Sequence, residues 1–430
     1  MKLTNFGGAT AILEHRGKRM LFDPWLDDGI YHGAWYHYPP LKAGISDLGH
    51  LDYVYISHIH EDHCSAGTIK HINKDAEIIV MGREPNLVLQ FLNSNGFKFK
   101  AVHCVRPQTP LEISPGLIID MVTADPQHEL NYFIDSGLIM QWDGHVIYNA
   151  NDCPPYEAGL RYIKKQYRDI HLALLPYAGG SGYPACYINL SDEEKLREAA
   201  RIREAGFQGF GEAVQFLNPR FAMPFADQYV IAGQRSSLNR YMAHPTDAGA
   251  VTATMQAMGL MDRLLLLNSG QTKDLISGEK FPNEDFHSYS EKDRENYINE
   301  QLVNKRYEFE SFDLAPVVPL DRLLAHARDR LWAAQKKQEF FPDFSFYFSV
   351  PDRKSLFRID LNKAGIQRVE FDSVLQEPYL RISMTASLFA LMLIGHVSWN
   401  IADAALFLDY TRRPNHYNPK IYVLLNFLRV

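Results

Sequence analysis

Ser57-His58-Ile59-His60-Glu61-Asp62-His63 follows directly on the apolar run Tyr53-Val54-Tyr55-Ile56, and this junction decides how the chain is read. Residues two apart at a strand end point the same way, so His58 and His60 can converge on one ion. Asp62 and His63 then lie in the turn leading into a helix from about Ala66, where they can face a second ion beside the first. Imidazole suits zinc, iron, manganese or nickel, and a carboxylate in the set admits a harder ion. Three histidines and two acids in six residues would be an odd way to build an ordinary solvated turn.

Outward from this motif the first two-thirds of the chain reads as short apolar strands broken by Gly, Pro and Asp. Ala11–Glu14 and Arg19–Phe22 form two strands joined by the turn His15-Arg16-Gly17-Lys18. Tyr53–Ser57 is a continuous apolar strand of the kind buried between layers. Glu77–Met81, Leu117–Val122 and Leu138–Trp142 follow the same style, and the last turns at Asp143-Gly144 into His145–Tyr148 as a hairpin. Leu172–Leu175 and Phe221–Met223 add further strands. A helix over Ser191–Ala205 opens with the capping box Ser191-Asp192-Glu193-Glu194. Strands interleaved with helices and hairpins imply a mixed, layered α/β domain over residues 1–275.

The character changes near residue 275. Glu291–Tyr307 is densely charged and predicts a solvated helix, and Leu320–Lys337 has apolar residues near helical spacing. Residues 276–334 are therefore read as a helical linker. Four β-like runs follow, Phe344–Val350, Ser355–Leu361, Ile366–Phe371 and Tyr379–Met384. Helical stretches at Ala386–Gly395, Ile401–Phe407 and Ile421–Leu428 close the chain. Residues 335–430 thus predict a smaller α+β domain.

At 430 residues the chain is too long for one ordinary core, and its 46% hydrophobic and 22% charged content is that of a soluble globular protein. A formal net charge of -7 argues against nucleic acid, which would call for a basic face. The longest apolar stretch, Ala386–Gly395, is too short to span a bilayer, and no secretory signal is visible. Cys64, Cys104, Cys153 and Cys186 form no C-x-x-C pair, so a disulfide framework is not expected. The expected setting is cytoplasmic, with reduced thiols and a small-molecule substrate; a homo-oligomer fits the same picture.

The H-x-H-x-D-H pattern resembles the signature of the metallo-β-lactamase superfamily. That resemblance implies an αββα sandwich with further metal ligands downstream. The best match to the next histidine is His128, and the bridging aspartate matches Asp152 in Tyr148-Asn149-Ala150-Asn151-Asp152. The expected metal set is therefore His58, His60, Asp62, His63, His128 and Asp152. The family's last histidine is missing: Ala226 stands in its place, and Asp227 or His244 is the alternative ligand. Phe6–Leu13 and Leu21–Leu26 resemble the L-ascorbate-6-phosphate lactonase branch and N-acyl-phosphatidylethanolamine phospholipase D. Pro176–Pro184, Asn151–Pro155 and Pro219–Ala226 resemble the non-Rieske part of CMP-N-acetylneuraminate hydroxylase. The Rieske module itself needs C-x-H and C-x-x-H pairs, and this chain has neither. The tail, Ile382–Asn418, resembles the end of that hydroxylase and more loosely a sterol-carrier domain.

The resemblance implies a hydrolase in which a metal-bound hydroxide attacks an ester, lactone, amide or phosphodiester, with Asp62 and His63 as the catalytic pair. The expected cofactor is a divalent metal, zinc first, with iron or manganese as alternatives. An iron-dependent oxidoreductase and a scaffold with a vestigial site are the competing readings. Trp25–Pro40 is too aromatic for a spacer and serves either as a substrate wall or as inter-domain packing. Together with the hydroxylase resemblance it leans the substrate toward a polar, sugar-like molecule. Gly179-Gly180-Ser181-Gly182 lacks the Lys-Ser/Thr of a nucleotide loop and reads as a tight turn near the metals. Cys64 and Cys153 read as buried neighbours of ligands.

Overall fold

Strict alternation along the early strands sorts their side chains to two different cores. Met20, Phe22, Tyr53, Tyr55 and Ile79 face one cluster, whereas Leu21, Val54, Ile56 and Ile78 face another. A continuous apolar strand is thus apolar because both of its faces are covered. The computed structural model describes residues 1–125, 135–153, 155–276, 283–312 and 318–430.

The first sheet has seven strands, in the order Thr272–Asp274, Lys2–Gly7, Thr10–His15, Lys18–Phe22, Tyr53–Tyr55, Glu77–Met81 and Ala101–Val105. Its N-terminal strands are antiparallel, and pairing turns parallel from Lys18–Phe22 onward. The second sheet has six strands, Phe221–Phe225, Ile170–Pro176, His145–Asn149, Ser136–Trp142, Leu117–Thr123 and Leu111–Ser114. Between the sheets lie Leu13, Phe22, Tyr55, Ile119, Leu138, Met140, Leu172 and Met223. Outside the first sheet, Val88 and Leu92 of the helix Leu87–Ser94 cover Val54 and Ile78. Outside the second, Ile163 of Glu157–Gln166 and Phe210, Val214 and Leu217 of Asp192–Leu217 cover Ile139, Ala173 and Leu175. The layers run helix, sheet, sheet, helix, which is the expected αββα sandwich.

The helix opened by the Ser191 capping box runs on to Leu217, well past the expected Ala205, and ends where Asn218 turns left-handed (φ 55°). Its glycines would weaken an isolated helix, but here they serve packing. A Cβ on Gly206 would collide with the Tyr177 carbonyl oxygen, and one on Gly211 with the Met258 sulfur. Tertiary contact overrides propensity. Glu291–Tyr307 also departs from expectation. It is helical over Glu291–Tyr297 with a π-turn over Ile298–Leu302, and it buries Arg294, Ile298 and Leu302.

A third sheet of five strands closes the chain, ordered Gln367–Val369, Ser355–Asp360, Ser345–Val350, Tyr379–Ser383 and Asp409–Arg413. The last strand was not expected from sequence. The helix Trp399–Ala404 stops early, Leu406 turns left-handed (φ 58°), and the chain re-extends along the sheet edge. Leu324, Ala327 and Leu331 of the helix Leu320–Gln338 pack on Phe346 and Phe348 of this sheet. The same core takes in Trp25, Tyr31, Trp35 and Tyr229 from the sandwich, so the aromatic segment does pack between the two domains. No helix among the described residues is long and apolar enough to cross a membrane.

Candidate metal centre

The strand Tyr53–Tyr55 delivers its successor residues to the edge of the sandwich, where a buried carboxylate organises them. Asp23 is fully buried and holds a left-handed backbone (φ 40°) at the end of its own strand. Its Oδ1 accepts the Ser57 amide at 2.7 Å, and its Oδ2 accepts the Ser57 hydroxyl at 2.9 Å. The same Oδ2 lies 2.9 Å from His63 Nδ1. The turn then closes tightly, with the amides of His63 and Cys64 both donating to the His60 carbonyl. Ser65 caps the helix Ala66–Ile69 beyond it.

This turn brings the motif histidines together. Ser57 Oγ is 2.9 Å from His58 Nδ1, which leaves His58 Nε2 facing inward at 2.8 Å from His60 Nδ1. His63 Nε2 lies 3.1 Å from Asp152 Oδ2 and 3.3 Å from Asp62 Oδ2. Asp152 follows the strand His145–Asn149 through a turn in which Asn151 is left-handed (φ 43°), and its amide is held by Asn151 Oδ1 at 2.7 Å. The Tyr31 hydroxyl donates to Asp62 Oδ1 at 2.7 Å, and the Tyr31 amide donates to Glu61. Ligand atoms of His58, His63 and Asp152 all lie within 4.8 Å of one another.

Burial and close approach shift the ionisation of these groups in different directions. Burial lowers the pKa of His58 well below the ordinary value, with His63, His60 and Arg83 adding to the effect, so it presents a neutral imidazole. Burial also opposes a charge on His63, yet Asp152, Asp62 and Asp23 together raise its pKa well above the ordinary value. Burial pushes the Asp62 carboxyl up, but His63 and His60 outweigh it and bring the pKa down to about 2. Asp135 completes the ring. It is 3% exposed, its Oδ1 lies 3.8 Å from His58 Nε2, and that oxygen has no hydrogen-bond partner among the described residues. Burial, with Asp152 nearby, pushes its pKa well above the ordinary value, so its charged form would call for a cation beside it. Imidazoles and carboxylates converging in this way fit a divalent metal ion.

These residues line one end of a cavity of about 690 Å³. Tyr31, Trp35 and Tyr229 form an aromatic wall, in which Trp35 and Tyr229 stack at 3.3 Å between ring centroids. Gly206, Gly209, Phe210, Ala213 and Phe216 of the long helix form another wall, and Gly179 and Gly180 line it from the irregular segment after the strand Ile170–Pro176, which is not the tight turn expected. The aromatic segment therefore serves both as wall and as inter-domain packing.

Of the expected site residues, the structure brings His58, His60, Asp62, His63 and Asp152 together; His128 lies outside the described residues. Asp227 and His244, the two alternatives for the last ligand, contact each other through Asp227 Oδ1 and His244 Nδ1. Both are buried and line the cavity, and His244 Nε2 has no hydrogen-bond partner among the described residues. Ala226 beside them takes a left-handed backbone (φ 62°). Cys64 and Cys153 are buried, and burial raises both thiols above their ordinary value, which suits inert packing. The sequence pattern did not point to Asp23 or Asp135. Asp23 directly follows the strand Lys18–Phe22, and that place at a strand end was the available signal.

Residues 18–204 match the model of the beta-lactamase superfamily domain. Over 237 residues the chain is 29% identical to the cytidine monophosphate-N-acetylneuraminic acid hydroxylase of Xenopus laevis, covering 54% of this chain and 38% of that protein. The chain thus matches well under half the length of this relative. Two solved structures are similar in fold. The isothiocyanate hydrolase from Delia radicum gut bacteria is 18% identical with a TM-score of 0.45, covering 64% of this chain and 98% of that one. A diiron β-hydroxylase, CmlA from Streptomyces venezuelae, is 16% identical with a TM-score of 0.43, covering 63% and 53%.

Proposed function

From the premise that residues 18–204 form a beta-lactamase superfamily domain, we propose that this chain is a metal-dependent hydrolase of a small molecule. The bond cleaved is an ester, lactone, amide or phosphodiester. The observation that carries the reading is the convergence of His58, His63 and Asp152 within 4.8 Å at the end of a roomy cavity. His58, His60, Asp62, His63 and Asp152 would hold the metal, zinc first, with His128 as the further ligand implied by the motif and Asp135 as an additional carboxylate. A bound divalent ion polarises a substrate oxygen and lowers the pKa of water toward ~7.

The chain's own residues do the rest. Asp62, kept ionised by His63 and oriented by the Tyr31 hydroxyl, positions the attacking water and takes its proton. Asp227 holds the His244 ring so that Nε2 is left to exchange a proton with the leaving group. Tyr31, Trp35 and Tyr229 give the cavity an aromatic wall against which a ring or sugar could pack. Among the described residues the cavity is lined by carboxylates and not by Lys or Arg. An anionic group on the substrate would therefore be met by the metal.

A second reading, an iron-dependent oxidoreductase, is favoured by the 237-residue match to a hydroxylase and by the carboxylate-rich donor set. Elemental analysis of the purified chain with a visible spectrum separates the two. Zinc or manganese without visible absorbance, together with turnover of a lactone or phosphodiester, supports the hydrolase. Stoichiometric iron with an oxygen-responsive spectrum replaces it by the oxidoreductase. Full biological activity in a His58→Ala, His60→Ala double variant would leave only a scaffold.

A further inference from the structure

Each motif histidine has one nitrogen in the cluster and one outside it. Outside, His58 Nδ1 is met by Ser57 and His63 Nδ1 by Asp23, both from the sandwich itself. The outer nitrogen of His60, Nε2, is met at 2.8 Å by the side-chain amide nitrogen of Asn400, Nδ2, from 340 residues away. Asn400 sits in the first turn of the helix Trp399–Ala404, in the C-terminal domain. That helix is placed by a seam of contacts. Trp35 Nε1 donates to the Ala404 carbonyl at 3.0 Å, and Arg235 donates to the Leu406 and Leu408 carbonyls and to Asp409. Beyond it, the Tyr410 amide donates to the Cys186 carbonyl and the Ile188 amide to the Tyr410 carbonyl.

Resting on the metal reading above, we infer that Asn400 is a positioning residue for His60, which makes metal binding depend on the docked C-terminal domain. A ligating imidazole needs its second nitrogen partnered, because that partner sets the tautomer and the ring orientation. With His60 Nδ1 turned to the metal, Nε2 carries the proton. A half-turn of the Asn400 amide then presents its carbonyl oxygen as the acceptor. The C-terminal domain thereby supplies what the turn lacks, since His60 has no such partner in its own strand end.

The test strips the full chain of metal with a chelator and titrates zinc back against a chromophoric competitor. Asn400→Ala is expected to weaken zinc binding roughly 10–100-fold, the usual effect of removing an outer partner of a ligand. Asn400→Asp keeps an acceptor in place and is expected to bind close to the unaltered chain. Because Asn400 is exposed, the metal-free melting temperature of both variants should match the original. Equal zinc affinity in Asn400→Ala overturns the inference, and so does an equal loss in Asn400→Asp. A metal-free melting temperature that falls in step with affinity makes the residue merely structural. An unaltered chain that binds no metal overturns the metal reading itself, and the inference with it.

Discussion

His60 and His63 sit three residues apart in one turn, yet they are held by opposite kinds of support. His63 leans on Asp23, a fully buried carboxylate that also grips the Ser57 amide and hydroxyl. His60 leans on Asn400, an exposed amide carried in by the second domain. The first support belongs to the folding core: removing it leaves donors and an imidazole without a partner where water cannot reach. The second belongs to domain assembly: water can take its place, so the chain folds without it while the ring loses its fixed direction. On the proposed metal reading, the first support would couple metal binding to stability and the second to docking.

The sharpest way to break this contrast is Asp23→Ala. It removes one partner of a buried ion pair, so unfolding free energy should fall by about 3–5 kcal/mol, read from denaturant midpoints, with metal binding lost as well. A folded Asp23→Ala chain of unaltered stability would remove the distinction. Metal removal comes next. If zinc binds only the folded chain, chelation should lower stability by about 2.7 kcal/mol when the free ion had stood at 100 times its dissociation constant. The metal-free chain should stay folded, because the inter-sheet core does not involve the ligands.

Arg235→Ala tests docking without touching the site. Loss of its charge-assisted bonds to Asp409 and two carbonyls should cost about 1.5–3 kcal/mol. Its zinc affinity should shift in the direction of Asn400→Ala if the seam is what places that residue. An unchanged affinity would show the seam to be irrelevant to the metal. The smallest effect is expected for Tyr31→Phe, which removes the hydroxyl on Asp62 and should raise the activation barrier by about 1 kcal/mol. Steady-state rates on any substrate found would measure it, and a fall in kcat without a change in zinc affinity is the expected pattern.

Much of the site was legible because its chemistry is packed into a short stretch. His58, His60, Asp62 and His63 share one strand end, and local geometry alone makes them neighbours. Asp152 was legible only by likeness to a family motif, since nothing local ties it to His63. Asp135 gave no signal, being one acid among many until burial left its Oδ1 unpartnered beside His58. The alternatives Asp227 and His244 were both worth naming, but only the folded chain pairs them with each other. The long helix past Ala205 was hidden for a related reason. Its glycines lower helix propensity, and their use becomes apparent only against Tyr177 and Met258.

Periodicity by itself determined the layered strands and helices, the direction each strand faces, and the presence of a second α+β unit. These follow from interactions between residues a few positions apart, which the order of residues specifies directly. The tertiary structure decided which distant groups meet the motif histidines at the candidate site: Asp23 behind His63, Asp135 beside His58, and Asn400 on His60. Those contacts join segments tens to hundreds of residues apart. Their formation depends on how whole layers and domains dock, which local preference does not encode.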